Sequence, residues 1–238
     1  MKSTTLIIPG LHGSGSDHWQ TWLESRVVGA QRVVQDNWSV AALDLWSDRV
    51  RQAIDGAIGQ VWLVAHSFGC LAAATAAVDR VDRVAGALLV APANPERFTA
   101  QGLVQSSVAS IADGELAGTS KATITSLIPH QALGFPSIVV ASSNDPWMRL
   151  TAASVWADRW GAQFECIGRA GHINVESGFG PWAQGLDLFE RFRAAHGGEP
   201  LGSIDSLSEK THWSSAARET QDAHTRRGER MLSQQWFG

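Results

Sequence analysis

Val61-Trp62-Leu63-Val64-Ala65-His66-Ser67-Phe68-Gly69-Cys70-Leu71-Ala72-Ala73-Ala74 is the stretch whose reading decides the fold. Its apolar opening has no polar alternation, as in a strand covered on both faces. The run breaks at His66-Ser67, and after Gly69 the chain continues through very small residues that read as a helix. A strand that turns sharply into a helix lifts the Ser67 hydroxyl clear of the sheet and puts it at a helix N-terminus. Small residues two positions before and after the serine, Ala65 and Gly69, let strand and helix approach closely. The usual form of this turn begins with glycine, and Ala65 is small enough to stand in its place. The competing reading is that Ser67 only caps a helix, which serine does in many folds.

Partners elsewhere in the chain separate these readings. A serine nucleophile needs a general base, and that base needs a carboxylate to hold its tautomer. In a turn of this kind the chain order is serine, acid, histidine, with acid and histidine just beyond the ends of later strands. Ser137-Ile138-Val139-Val140-Ala141 leads into Ser142-Ser143-Asn144-Asp145-Pro146, and Phe164-Glu165-Cys166-Ile167 leads into Gly168-Arg169-Ala170-Gly171-His172-Ile173-Asn174. A catalytic triad of Ser67, His172 and Asp145 is therefore expected at one edge of the sheet.

The first loop, Pro9-Gly10-Leu11-His12-Gly13-Ser14-Gly15-Ser16-Asp17-His18-Trp19, follows the first strand. Its glycines allow the Leu11 N–H to face the site and, with the Phe68 N–H, to receive a developing oxyanion. A dinucleotide-binding loop would need different glycine spacing. A metal site built on His12, Asp17 and His18 would need a further matching ligand. No metal or cofactor is expected. His12, Trp19 and Trp182 lie near these loops and are candidates to line an apolar pocket. His66 reads as a packed scaffold residue, Cys70 as core, and His130, His196, His212 and His224 as solvent-facing.

Outward from the turn, strands are expected at Thr4–Ile8, Arg32–Gln35, Gln60–Ala65, Ala87–Ala91, Ser137–Ala141 and Gln163–Ile167. Helices are expected at His18–Val27, Leu43–Ile58, Gly69–Val78, Met148–Trp160 and Trp182–Phe192. Strand–helix alternation of this kind predicts an α/β fold, a mostly parallel sheet of about six strands with helices on both faces. The segment from Pro95 to Phe135 breaks the rhythm and reads as an insertion over the site. Residues 1–196 are expected to form one domain. From Gly197 to Gly238 only 11 of 42 residues are apolar, against 44% overall, which predicts a polar, largely disordered C-terminal tail. Within it Ser206-x-x-Glu209 has the spacing of a helix cap.

The whole chain has 238 residues and a net charge of −4, which argues against a nucleic-acid binder that works by neutralising phosphates. No apolar run approaches the ~20 residues of a membrane span. The N-terminus lacks the pattern of a secretory signal, and two cysteines make no disulfide framework. A cytoplasmic setting is expected. There is no tyrosine, so no phenol serves as general acid or oxyanion donor.

Pro9-Gly10 with His18-Trp19, Ala65-His66-Ser67-Phe68-Gly69-Cys70, Ser143-Asn144-Asp145, and Gly171-His172-Ile173-Asn174 with Gly178-Phe179-Gly180-Pro181-Trp182 together resemble small α/β-hydrolases of the YdeN and retinoblastoma-binding-protein-9 type. The resemblance runs from about Thr4 to Ala195 and leaves the tail outside it. It implies a single α/β-hydrolase domain with strand order 2-1-3-4-5-6. It also implies the same triad, Ser67, Asp145 and His172, and serine-hydrolase activity on a substrate that the resemblance does not define. The triad itself leads us to expect cleavage of a small ester, or an amide or thioester, through an acyl-enzyme. The Leu-x-Cys-x-Glu motif for retinoblastoma proteins is absent, since Cys166 lies in Phe164-Glu165-Cys166-Ile167-Gly168, so no such partner is inferred. Two alternatives share these residues: a binding or regulatory protein on a hydrolase scaffold, and a related triad enzyme that acts as a perhydrolase or C–C hydrolase.

Overall fold

The computed structural model describes residues 3–102 and 122–199. Six strands form one sheet: β1 (Ser3–Ile8), β2 (Ala30–Arg32), β3 (Gln60–His66), β4 (Val84–Val90), β5 (Ser137–Ala141) and β6 (Gln163–Cys166). They lie in the order β2-β1-β3-β4-β5-β6, and every neighbouring pair is parallel. Five helices connect or follow them: α1 (Trp19–Glu24), α2 (Leu43–Gly56), α3 (Phe68–Ala77), α4 (Leu150–Trp160) and α5 (Ala183–Ala195). Fold class and strand order agree with the sequence-based expectation.

The alternation of side chains along each strand divides the core in two. Leu6, Ile8, Leu63, Ala65, Leu89 and Val139 point to the face covered by α2, α3 and α4. Ile7, Trp62, Val64, Leu88, Val90 and Val140 point to the face covered by α1 and α5. Both faces are dry, which is why the central strands are apolar at consecutive positions.

Local boundaries differ from expectation for identifiable reasons. β2 pairs with β1 through Ala30, Gln31 and Arg32 rather than through Arg32–Gln35. Val33 adds one last bond, its N–H to the Ile7 carbonyl, where β1 itself ends. Val34 is exposed beyond it, an apolar residue that an edge strand leaves uncovered. α4 begins at Leu150 rather than Met148, because the Asp145 carboxylate accepts the Trp147 N–H (2.8 Å) and holds this segment in a turn. At the far end, Gly197 takes a left-handed conformation and the Gly198 N–H returns to the Arg193 carbonyl (2.8 Å). These two glycines close α5, so the folded body runs past the expected boundary at 196. The rest of the expected tail, from Pro200, lies outside the described residues, as does the middle of the expected insertion.

β1 lies between β2 and β3, so the connections leaving β1 and β3 diverge on opposite sides of the sheet. A crevice opens there, beyond the carboxyl ends of the strands.

Candidate active site

Ser67 sits at the top of β3 with φ 54° and ψ −124°, a conformation that L-residues seldom adopt. The strand ladder and close steric contacts hold it there. Its N–H continues the ladder to the Val90 carbonyl (3.0 Å), and its carbonyl accepts the Cys70 N–H (3.0 Å) in the first turn of α3. A Cβ on Gly69 would collide with the carbonyl oxygens of Ile8 and Pro9. A Cβ on Gly10 would lie 2.7 Å from the Ser67 Cβ. Glycine at both positions lets the first loop and α3 close around the serine. Leu11 and Phe68, the expected oxyanion donors, flank Ser67 on these two segments; within the loop the His12 N–H bonds to the Trp38 carbonyl and the Gly13 N–H to the Gly10 carbonyl.

The structure brings the three expected triad residues into contact. Ser67 Oγ lies 2.8 Å from His172 Nε2, and His172 Nδ1 lies 2.9 and 3.0 Å from the two Asp145 carboxylate oxygens. The Asp145 side chain is 2% exposed and that of His172 8%, so the chain of hydrogen bonds is shielded from water along most of its length. Bonding to Asp145 puts the imidazole proton on Nδ1 and leaves Nε2 free to accept from the serine.

No strand or helix carries His172. Its segment has positive φ at Gly171 and Ile173 and is fixed by side chains from elsewhere. Ser142 Oγ accepts the Ala170 N–H (2.9 Å), Asn144 Oδ1 accepts the Gly171 N–H (2.9 Å), and Ser177 Oγ accepts the His172 N–H (3.1 Å). His66 Nε2 donates to the His172 carbonyl (2.9 Å), and Trp19 Nε1 donates to the Ile173 carbonyl (2.9 Å).

A cavity of about 310 Å³ opens over Ser67. Leu11, Phe98, Trp147 and Val175 supply its apolar surface, and His12, His18, His66, Asn174 and Glu176 its polar surface. Arg97 stacks over Trp147 at 4.1 Å and donates to the Pro146 carbonyl, which holds that wall in place. His12 thus lines the cavity as expected. Trp19 and Trp182 do not. Trp19 is fully buried, stacks edge-to-face on Trp182, and spends its N–H on the His172 loop. The sequence places both tryptophans beside the site, but the direction of their rings depends on α5 packing against α1. His66 is a buried, hydrogen-bonded residue as expected. His18 as an α1 cap and cavity wall, and Phe98 and Trp147 as apolar walls, were not anticipated. A helix-capping histidine has little sequence signal, because Ser, Thr, Asp and Asn dominate that position. Among the described residues, no group of three His, Cys, Asp or Glu is placed to hold a metal ion.

A family model described as serine hydrolase matches residues 5–191. The chain belongs to the serine hydrolase family. A YdeN-like hydrolase from Pectobacterium atrosepticum is 35% identical to this serine hydrolase, with 82% of this chain and 92% of that one covered and a TM-score of 0.69. The ydeN gene product of B. subtilis is 18% identical over 82% of this chain and all of that one, with a TM-score of 0.57. Thermogutta terrifontis esterase 2 shares the fold at 15% identity, 82% and 83% coverage and a TM-score of 0.57. No curated protein matches the chain. Among the described residues of this family member, no helix is long and apolar enough to cross a membrane.

Proposed function

We propose that this serine hydrolase cleaves a small ester, or a related amide or thioester, through an acyl-enzyme on Ser67. The observation that carries the reading is the unbroken chain from Ser67 Oγ to His172 to Asp145, at 2.8 and 2.9 Å. His172 Nε2 takes the hydroxyl proton as Oγ attacks the carbonyl carbon. Asp145 holds the imidazole in the tautomer that can accept this proton and stabilises the imidazolium that follows. The N–H groups of Leu11 and Phe68, on the two segments that flank Ser67, are the donors assigned to the oxyanion in this reading, a contribution of about 3–4 kcal/mol per donor in comparable sites. His172 then returns the proton to the leaving group, and water repeats the sequence on the acyl-enzyme. The cavity volume suits a short or medium acyl group. Both cysteines are free, and a reducing, cytoplasmic setting is consistent with that.

A fluorophosphonate probe tests the nucleophile directly. Wild type is expected to become labelled and Ser67→Ala to stay unlabelled; label retained on the alanine variant would reject the assignment. If p-nitrophenyl esters from acetate to octanoate show no turnover and the probe does not react, the chain is a binding protein on a hydrolase scaffold. Turnover only with peroxide, or only of a C–C bond, would move it to the corresponding triad chemistry.

A further inference from the structure

The cavity wall beside His172 contains two further imidazoles that the acyl-transfer steps leave unused. His18 and His66 are each 5% exposed, and both line the cavity. Their rings lie 4.9 Å apart, edge to face, and the His66 ring lies 5.0 Å from that of His172. Hydrogen bonds decide which nitrogen of each ring holds the proton. His18 caps α1, and its Nδ1 accepts the Gln20 N–H (3.2 Å), so the proton sits on Nε2. His66 Nε2 faces the His172 carbonyl at 2.9 Å. A carbonyl can only accept, so His66 carries its proton on Nε2 and its Nδ1 is bare.

Both rings are neutral at physiological pH. Burial, followed by the charges of Arg32 and His172, lowers the pKa of His18 from 6.5 to about 4. Burial, reinforced by His172 and His18, pushes that of His66 well below its usual value. Arg32, whose charge acts on His18, is committed to Glu24, Thr21 and the Ser14 carbonyl. Among the described residues, His18 Nε2 and His66 Nδ1 have no protein partner. A neutral donor and a neutral acceptor therefore stand on neighbouring rings of one wall.

A hydroxyl satisfies such a pair, because its oxygen accepts from one nitrogen while its proton goes to the other. A carbonyl or ether would leave Nδ1 unpaired, and a carboxylate would meet no cation there. The wall adjoins His172, whose Nε2 must deliver a proton to the departing atom, so a group bound on it belongs to the leaving half of the substrate. We infer that His18 and His66 select esters whose leaving alcohol carries a second hydroxyl close to the scissile bond, as in a glycerol monoester. This inference rests on the acyl-transfer reading of Ser67 and His172 and adds the class of leaving group.

The test compares glycerol 1-butyrate with propyl butyrate, which share an acyl group and differ in the hydroxyls of the alcohol. Their kcat/KM values are followed by pH-stat titration. Wild type is expected to prefer the glycerol ester by about tenfold, the scale of one or two net neutral hydrogen bonds. His18→Phe keeps a ring and removes the donor. His18→Asn keeps an acceptor for the Gln20 N–H but is too short to reach the cavity. Both variants should bring the ratio close to one. A general structural defect would slow both esters and leave the ratio unchanged. A wild-type ratio near one, or a preference that survives in both variants, overturns the inference. So does ¹⁵N NMR of the wild-type protein placing the His18 proton on Nδ1. Fluorophosphonate labelling separates the two levels of argument. A labelled enzyme that cleaves both esters equally fails only the leaving-group inference, whereas an unlabelled and inactive one fails the acyl-transfer reading as well.

Discussion

The Ser67 turn and the His172 loop meet at 2.8 Å, yet they are held in place by different means. Ser67 is fixed by main chain: a strand ladder before it, a helix after it, and two glycines where loop and helix would otherwise collide. The His172 loop has no such frame. Its main-chain groups are held by the side chains of Ser142, Asn144, Ser177, His66 and Trp19, which come from several parts of the chain. Steric fixation is coupled to the whole fold, because α3 and β3 are also core. Fixation by separate hydrogen bonds can be loosened one bond at a time. Damage to the turn should therefore be global, and damage to the loop graded and local.

The largest expected effect tests the local side. Asp145→Asn should lower kcat by about 10⁴-fold through loss of the correct imidazole tautomer. Its thermal midpoint should barely move, because Asn can still accept the Trp147 N–H. A matching collapse in stability would show that the acid loop is part of the frame after all. Gly69→Ala tests the global side. Its Cβ has no room against the Ile8 and Pro9 carbonyls, and about 3 kcal/mol of unfolding free energy should be lost, with activity falling in parallel. A stable but inactive Gly69→Ala protein would contradict the account of the turn.

Trp19→Phe is a smaller test of graded loss. It removes the donor to the Ile173 carbonyl while filling most of the same volume, a change of about 1–3 kcal/mol. Activity against p-nitrophenyl butyrate should fall several-fold through kcat, with little change in KM; a change confined to KM would return Trp19 to the substrate pocket. The mildest test is pH. His18 and His66 resist protonation in the folded protein, while in the unfolded chain they titrate near 6.5. Below that value the unfolded state binds more protons, so folding stability is complete above about pH 6.5 and declines as pH falls toward 4. Urea midpoints across this range should show the decline, and His18→Asn should flatten it. A midpoint that does not change with pH would mean that these rings are not held neutral.

The turn was legible in the sequence because its determinants are local and steric: an apolar run, a serine, a glycine two residues later and small residues after that. The positions of Asp145 and His172 just beyond strand ends could be read from the strand pattern, and the structure brings His172 to Ser67 and Asp145 to His172. The sequence places the start of β2 two residues late, because Val33-Val34 looks like the centre of a strand. Edge strands need little apolar cover, so composition is a poor guide to their register. The sequence puts Trp19 and Trp182 near the cavity, but their rings pack against each other between α1 and α5. Trp19 opens α1 and Trp182 precedes α5, so only the packing of those two helices decides whether their rings meet the cavity or each other.

From its residues alone this chain determined a parallel α/β sheet, the order of its elements, and which polar residues end up on loops at one sheet edge. Those features follow from periodicity, propensity and steric limits, all of which act over a few neighbouring residues. Only the tertiary structure decided which tryptophan serves as a clamp, which walls enclose the cavity, and which nitrogen of His18 and His66 carries a proton. Each of these depends on hydrogen bonds or packing between groups supplied by different elements, such as His66 to the His172 carbonyl and Trp19 to the Ile173 carbonyl. Such pairings exist only once the sheet has brought its loops together.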